Sequence, residues 1–376
     1  MRPDSDEPPG SLLGLAHVAS CSFLASRLAP SLQFWAALGG GIALARAAAG
    51  HGLRAGYGAS AAAIVQTVAL IGPARVNGPL TQALNAPAMG RLQALGAPRA
   101  VRLGVGLAIR LAHYAVLNVL FVVLVVGGLD KYVATYDKIA GFLRVLPQGQ
   151  AWAVGLTVAG SLAFGLFYTT VQLLVYERAF ADWPAHPVSH GGAGEDGEAA
   201  ARGRLPVLPL LATAAAWVAL LASLTWPVLA AVAGALALAT LVTRAWRAGR
   251  DVWGIGLVLA LGLSISAMGP AIIGAVEVEG AAQRAVRAAL LVLSATWLRA
   301  VAGAPGMREA ARRALRGARA TEAARITERL ESDRRLLPAA RAFLDEIGGV
   351  PQRPGPLVDA LVAWVAAEAA GYRPPL

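Results

Sequence analysis

The stretch Leu103 to Gly128, LGVGLAIRLAHYAVLNVLFVVLVVGG, decides how this chain is read. It carries one formal charge, Arg110, and its second half is unbroken apolar sequence. As a helix it is long enough to cross the ~30 Å hydrocarbon core of a bilayer. At ~100° per residue, His113, Arg110, Tyr114 and Asn118 fall in that angular order within an arc of about 140°. A polar stripe of this kind is costly against lipid, so it is predicted to turn toward other helices or a watery cavity.

The rest of the chain has the same character. Its 376 residues are 57% hydrophobic and 15% charged, with a mean hydropathy of +0.57, too apolar for an ordinary soluble domain of that length. The fold class this predicts is all-α: a polytopic transmembrane helix bundle of eight or nine spans, followed by a C-terminal cytoplasmic helical tail. The net charge of +11 comes from arginine, with Lys131 and Lys138 the only lysines. The arginines cluster between the apolar segments and after the last one, which suits cytoplasmic loops. No aromatic-interleaved basic patch points to nucleic acid. A single cysteine, Cys21, excludes an intrachain disulfide framework and a multi-cysteine metal centre. The opening MRPDSDEPPG is acidic and lacks the basic start of a cleavable signal, so insertion is expected to use internal helices.

Outward from the organising stretch, the expected spans are 11–30, 31–50, 57–74, 103–128, 151–176, 205–224, 226–243, 252–276 and 281–304. They group into an N-terminal bundle at 1–180, a linker at 181–204, a C-terminal bundle at 205–304 and a tail at 305–376. Residues 75–102 hold four arginines and no acid, so they are placed on the cytoplasmic side. Nine spans leave the amino terminus outside; if 11–30 does not cross, eight spans leave both ends inside. Either way the tail faces the cytoplasm of a cell inner or plasma membrane.

Several residues stand out as candidates. Arg110 and His113 lie within the membrane segment, where ionisable groups need a partner or a purpose. Arg110 also lies only ~10 Å from the helix start, close enough to snorkel to the headgroups. Ser161, Gly165, Thr169, Gln172 and Tyr176 share one side of the next span, the natural partner for the stripe, with His113 within reach of Gln172. Together Arg110, His113, Tyr114, Asn118, Thr169 and Gln172 outline a substrate path, to which Ser264 and Ser266 are added because Pro270 beside them should kink or break its helix. Residues 72–90, rich in Gly, Pro and Asn, read as a cytoplasmic loop with two turns, with a broken transporter helix as the alternative. His186 and His190 near Asp182, Glu195 and Asp196 read as a solvated linker; a divalent-cation site is the other reading. In the tail, Arg308, Arg312, Arg316 and Arg319 form a basic stripe, expected to meet anionic lipid or a cytoplasmic partner subunit such as an ATPase. Leu357, Val358, Leu361, Trp364 and Val365 make one apolar helix face, destined for the bilayer surface or the underside of the protein.

No phosphate-cradling GxxxxGK[ST], HExxH, GxSxG or CxxC signature occurs, and no cofactor is expected. The four last spans, the arginine-studded tail and the Ala-Arg-Ala triplets at 318–320 and 340–342 loosely resemble the transmembrane coupling subunit of energy-coupling-factor vitamin importers. In that family short Ala-Arg motifs on cytoplasmic helices dock on ATPase partners, and a membrane span separates the motifs; here none does. The function expected is the permease or transmembrane component of a small-molecule transporter. The alternatives are a non-catalytic membrane scaffold or assembly factor and a lipid-modifying membrane enzyme.

Overall fold

The described residues of the computed structural model, 11–72, 77–144, 146–183, 205–318, 320–330, 335–351 and 353–372, form fourteen α-helices and no strand. The first four are α1 (Leu12–Leu28), α2 (Gln33–His51), α3 (Leu53–Ile71) and α4 (Asn77–Ala94), and the last three are α12 (Thr321–Leu330), α13 (Leu336–Gly348) and α14 (Pro354–Gly371). Every residue of α1 from Gly14 to Ser26 is buried. That is possible because its Gly, Ala and Ser positions let neighbours approach on all sides. The neighbours are α2, α3, α13 and α14. Leu15, Phe23, Leu38 and Ile42 from the front of the chain share one core with Phe343, Leu361 and Val365 from its end. The Phe343 and Trp364 rings stand 4.2 Å apart within it. Gly52, at φ +89°, turns α2 straight into α3.

The apolar face of 354–371 therefore lies against the protein, the second of its two expected placements. It packs on helices formed by the first expected spans. The Gly39–Gly41 run in α2 gives close contact without a kink: a Cβ at Gly39 would stand 3.2 Å from the Phe343 ring, and one at Gly40 2.5 Å from that of Phe23.

Of the stretch 72–90, expected as a loop with a broken helix as the alternative, residues 77–90 belong to the helix Asn77–Ala94, with Pro87 inside it. Sequence reasoning missed α4 because its Gly, Pro and Asn residues are helix-poor by propensity. Tertiary contact holds it instead. Gly90 lies so close to α2 that a Cβ there would be 2.1 Å from the Ala45 carbonyl oxygen.

Between these two groups run α5 (Arg99–Leu120), which continues through a π-helical turn at Phe121–Val126, α6 (Leu129–Leu143), α7 (Gln150–Ala181), α8 (Val207–Ala222), α9 (Trp226–Val242), α10 (Arg250–Ile272) and α11 (Val278–Gly317). Among the described residues four helices are long and apolar enough to cross a membrane: Arg99–Val126, Gln150–Ala181, Val252–Ile272 and Val278–Gly317. The last breaks helical geometry at Gly303, φ +64°. Helices α8 and α9, with 16 and 17 residues, reach about 24–26 Å. Among the described residues, α1 has only 17, and α2 and α3 are not apolar enough to join the four.

Exposed large apolar side chains follow the same division. Among the described residues they number three before residue 100, Leu28, Leu53 and Leu95, and none after Val278. Between those limits they crowd α5 and α7 to α10, Val119, Phe167, Leu208, Leu241 and Leu261 among them. So broad an exposed apolar surface marks a face that water does not cover. Pro270 lies two residues from the end of α10, so it terminates that helix rather than breaking its middle. The histidines of the expected linker, His186 and His190, lie outside the described residues.

Side-chain contacts give the direction of each segment. Arg102 at the start of α5 pairs with Glu177 near the end of α7 at 2.8 Å. At the opposite end Arg287 of α11 donates to the Leu124 carbonyl in the π turn at 2.6 Å, and Trp226 at the start of α9 donates to Glu279 at 3.3 Å. Back near the terminal helices, Trp297 of α11 donates to Thr243 after α9, and Arg299 to the Leu70 carbonyl of α3. Six antiparallel segments, α5, α7, α8, α9, α10 and the first part of α11, thus run between a near end, joined to the terminal helices, and a far end.

Candidate functional site

The polar stripe of α5 faces protein, as its amphipathicity requires. Arg110 and His113 are buried, and Tyr114 and Asn118 are half-buried. Arg110 donates from Nε to Thr169 Oγ1 at 3.1 Å and from Nη2 to Gln172 Oε1 at 2.8 Å. Its Nη1 lies 3.5 Å from the Tyr114 hydroxyl, and the Tyr168 ring centroid is 5.9 Å from its guanidinium carbon. The expected α5–α7 pairing is therefore made by Arg110.

Gln172 is the hub. Its Oε1 also accepts from Asn85 Nδ2 at 2.9 Å, while its Nε2 donates to Gln82 Oε1 at 2.7 Å and to the Tyr176 hydroxyl at 2.8 Å. Tyr176 in turn donates to Gln82 at 3.1 Å. Gln82 and Asn85, from α4, were not among the expected site residues. Their spacing of three places them on one helix face, a signal hidden once 72–90 is read as loop. Two glycines let the cluster close. A Cβ on Gly41 would stand 2.1 Å from the Tyr176 oxygen, and one on Gly106 2.9 Å from Thr169 Cγ2.

Both polar atoms of the Gln172 side chain are fully used, so the cluster is a closed lock between α4 and the α5–α7 pair. Among the described residues no carboxylate lies within ion-pair reach of Arg110. Its charge is met by amide and hydroxyl oxygens, hydrogen bonds of the stronger, charge-assisted kind.

Farther along α5 toward the far end, the two helices separate. Asn118 reaches Ser161 at 3.3 Å, and the Tyr132 hydroxyl of α6 bonds Thr157 of α7. Around these four polar groups lies a partly open groove of about 700 Å³, with apolar walls from Ala115, Val119, Val122, Val154, Val158 and Leu162. Several of those walls belong to the exposed apolar surface, Val119 and Val158 among them. The volume falls in the range of small-molecule sites.

The remaining candidates lie elsewhere. Ser264 Oγ donates to the Ala285 carbonyl at 3.1 Å and ties α10 to α11, whereas Ser266 bonds back to Gly262 in its own helix. Neither adjoins the α5–α7 cluster. In the tail stripe, Arg312 and Arg316 pair with Glu328 of α12, each at 3.1 Å, and Arg312 and Arg313 grip Glu309. Burial pushes the Glu309 carboxyl up, but the hydrogen bonds from Arg313 and Arg312 outweigh it and hold the group below its ordinary value. Much of the expected lipid- or partner-facing charge thus clamps α11 to α12. Arg308 is half-buried on the same helix, and Arg319 lies outside the described residues. Of the second Ala-Arg-Ala triplet, Ala340 is buried in the shared core and Arg341 is exposed.

Compared with known protein families, curated proteins and solved structures, the chain matches none.

Proposed function

We propose that this protein is the membrane component of a transport system for a lipid-like amphiphile, which enters the groove between α5, α6 and α7 from the side. The observation that carries the reading is the groove itself: apolar walls continuous with the exposed apolar surface, and a short polar floor of Asn118, Tyr132, Thr157 and Ser161. An acyl or isoprenoid chain fits the walls, and a hydroxyl, ester or amide fits the floor. The cargo is narrowed relative to a general permease, because the polar stripe that would line a path for a hydrophilic solute ends in the fully bonded Gln172 lock.

In this reading six segments cross the bilayer, the α8–α9 hairpin joining the four long helices. Fewer crossings than the eight or nine first expected follow from assigning α1–α3 to a helical domain shared with α12–α14. In this reading the shared core lies wholly on one side of the membrane, which makes the number of crossings even. Arginines gather at the near end: Arg99, Arg102, Arg178, Arg244 and Arg247, with Arg308 to Arg316 beyond. The far end carries Lys131, Lys138, Arg144, Arg284 and Arg287 beside Asp130, Asp137, Glu277 and Glu279, so its basic residues are fewer than those of the near end and the terminal helices together. That excess supports, by the positive-inside rule, a reading in which the terminal-helix domain is cytoplasmic and the groove faces the outer leaflet.

The test uses the full chain in phospholipid vesicles doped with a phospholipid whose acyl chain bears a photoactivatable diazirine. Crosslinks are expected to concentrate on residues 115–123 and 154–162 and to fall about tenfold in Val158→Trp, which fills the groove. A fluorescent phospholipid analogue should cross the bilayer faster with the wild type than with that variant. Crosslinking spread evenly over the apolar surface, with Leu261 on α10 labelled as strongly as Val158, would sink the groove. Groove-specific labelling without accelerated crossing would sink transport and leave binding.

A further inference from the structure

At the far end of the molecule, separate from the groove, two arginines are buried side by side. Arg284 is 1% exposed and Arg287 is 8% exposed, and they lie three apart on α11, hence on one face. Arg284 has no hydrogen-bond partner on Nε, Nη1 or Nη2, although all three atoms are shielded from solvent. Arg287 gives Nη2 to the Leu124 carbonyl and leaves Nε unmatched.

The backbone around them is shaped to admit the guanidinium. The π turn ends at Gly127, φ +94°, where a Cβ would stand 2.7 Å from Arg284 Cδ, and Gly280 approaches Nη1 at 3.3 Å by the same measure. The amides of Gly127 and Gly128 both bond to the Val122 carbonyl, which leaves Leu124 to Arg287. The nearest acids along α11 are Glu277 and Glu279. Glu277 sits at the helix N-cap and Glu279 accepts from Trp226, and neither forms an ion pair with these arginines among the described residues.

Two adjacent buried cations with unused donors and no counter-charge carry a heavy desolvation cost. One oxyanion between them would remove it, because the guanidinium fork matches the paired oxygens of phosphate or carboxylate. We propose that Arg284 and Arg287 form a binding site for one such group, as a free ion or as the headgroup of an anionic lipid. Arg284 lies six residues into α11, about 9 Å from its start, a depth that the headgroup region of the far leaflet reaches. The site does not depend on the groove. Phe121, Val122 and Val123 line the groove, whereas Leu124 and Gly127 meet the arginines.

The experiment measures thermal unfolding of the full chain in nanodiscs. One arm titrates inorganic phosphate into phosphatidylcholine discs, with chloride at matched ionic strength as reference. A second arm compares phosphatidylglycerol with phosphatidylcholine discs. A rise of a few degrees in the midpoint is expected in at least one arm. Phosphate alone sufficing identifies a free-ion site; an effect of phosphatidylglycerol alone identifies a headgroup site. The rise should vanish in Arg284→Gln, survive in part in Arg284→Lys and persist fully in Arg144→Gln, which alters an exposed far-end arginine. Should Arg284→Gln fail to fold, native mass spectrometry of the wild type and the Lys variant reads retained phosphate or phosphatidylglycerol directly. No stabilisation or retention in either arm, or an undiminished effect in Arg284→Gln, overturns the proposal.

Discussion

At the scale of single residues, Gln172 and Gly41 carry the clearest consequences. Gln172→Leu keeps the volume but leaves donors on Arg110 and Asn85 without their partner in a buried site, while Gln82 Oε1 keeps only its bond from Tyr176. At about 1–3 kcal/mol for each orphaned group, a loss on the order of 3 kcal/mol or more is expected in chemical unfolding. A loss under 1 kcal/mol would mean the lock is not closed. Gly41→Ala should cost about 1–3 kcal/mol by forcing a Cβ toward the Tyr176 oxygen. Removing that oxygen relieves the clash, so Tyr176→Phe in the Gly41→Ala background should cost less than Tyr176→Phe alone. A double-mutant cycle showing additivity would refute the contact.

At the scale of elements, the α11–α12 junction and α14 behave differently from a free tail. Because Glu309 titrates below its ordinary value in the folded chain, its ion pairs contribute stability above the unfolded carboxyl value of about 4.3, and the contribution fades as pH falls through the lower folded value. Glu309→Gln should therefore be less stable than the wild type at pH 7, with the difference shrinking as the pH is lowered below about 4. A gap that widens with acidification would show the opposite sign. Helix α14 closes the core around α1, so truncation before Pro354 uncovers Leu15, Leu38 and their neighbours. Hydrogen exchange in residues 12–51 should rise sharply on that truncation, while residues 150–176 stay protected. Equal protection of α1 and α2 with and without α14 would show the tail to be independent.

At the scale of the whole molecule, the proposed arrangement puts the shared core on one side of the membrane and so makes a prediction about labelling. Single-cysteine variants in a Cys21→Ser background should show exposed positions on the terminal helices, such as Arg54 and Arg341, reacting with an impermeant maleimide from one side only. Lys131 and Lys138 positions should react from the other. Labelling of Arg54→Cys and Arg341→Cys from opposite sides would divide the core and overturn the arrangement.

Some of this was legible in one dimension. Length, apolarity and angular spacing are properties of a single helix, so residues 103–128 and 151–176 declared themselves, and the order of Arg110, Tyr114 and Asn118 on one face followed from 3.6-residue periodicity. The sequence by itself determined an all-helical chain with long apolar segments, and that the α5 stripe would seek α7. Tertiary structure alone decided that α1 is a core helix and that 77–94 is helical at all. A helix apolar on every side satisfies a membrane and a protein interior equally well, and only the partner that covers it tells them apart. For α1 that partner arrives more than three hundred residues later in the chain, from α13 and α14, and no local pattern announces it.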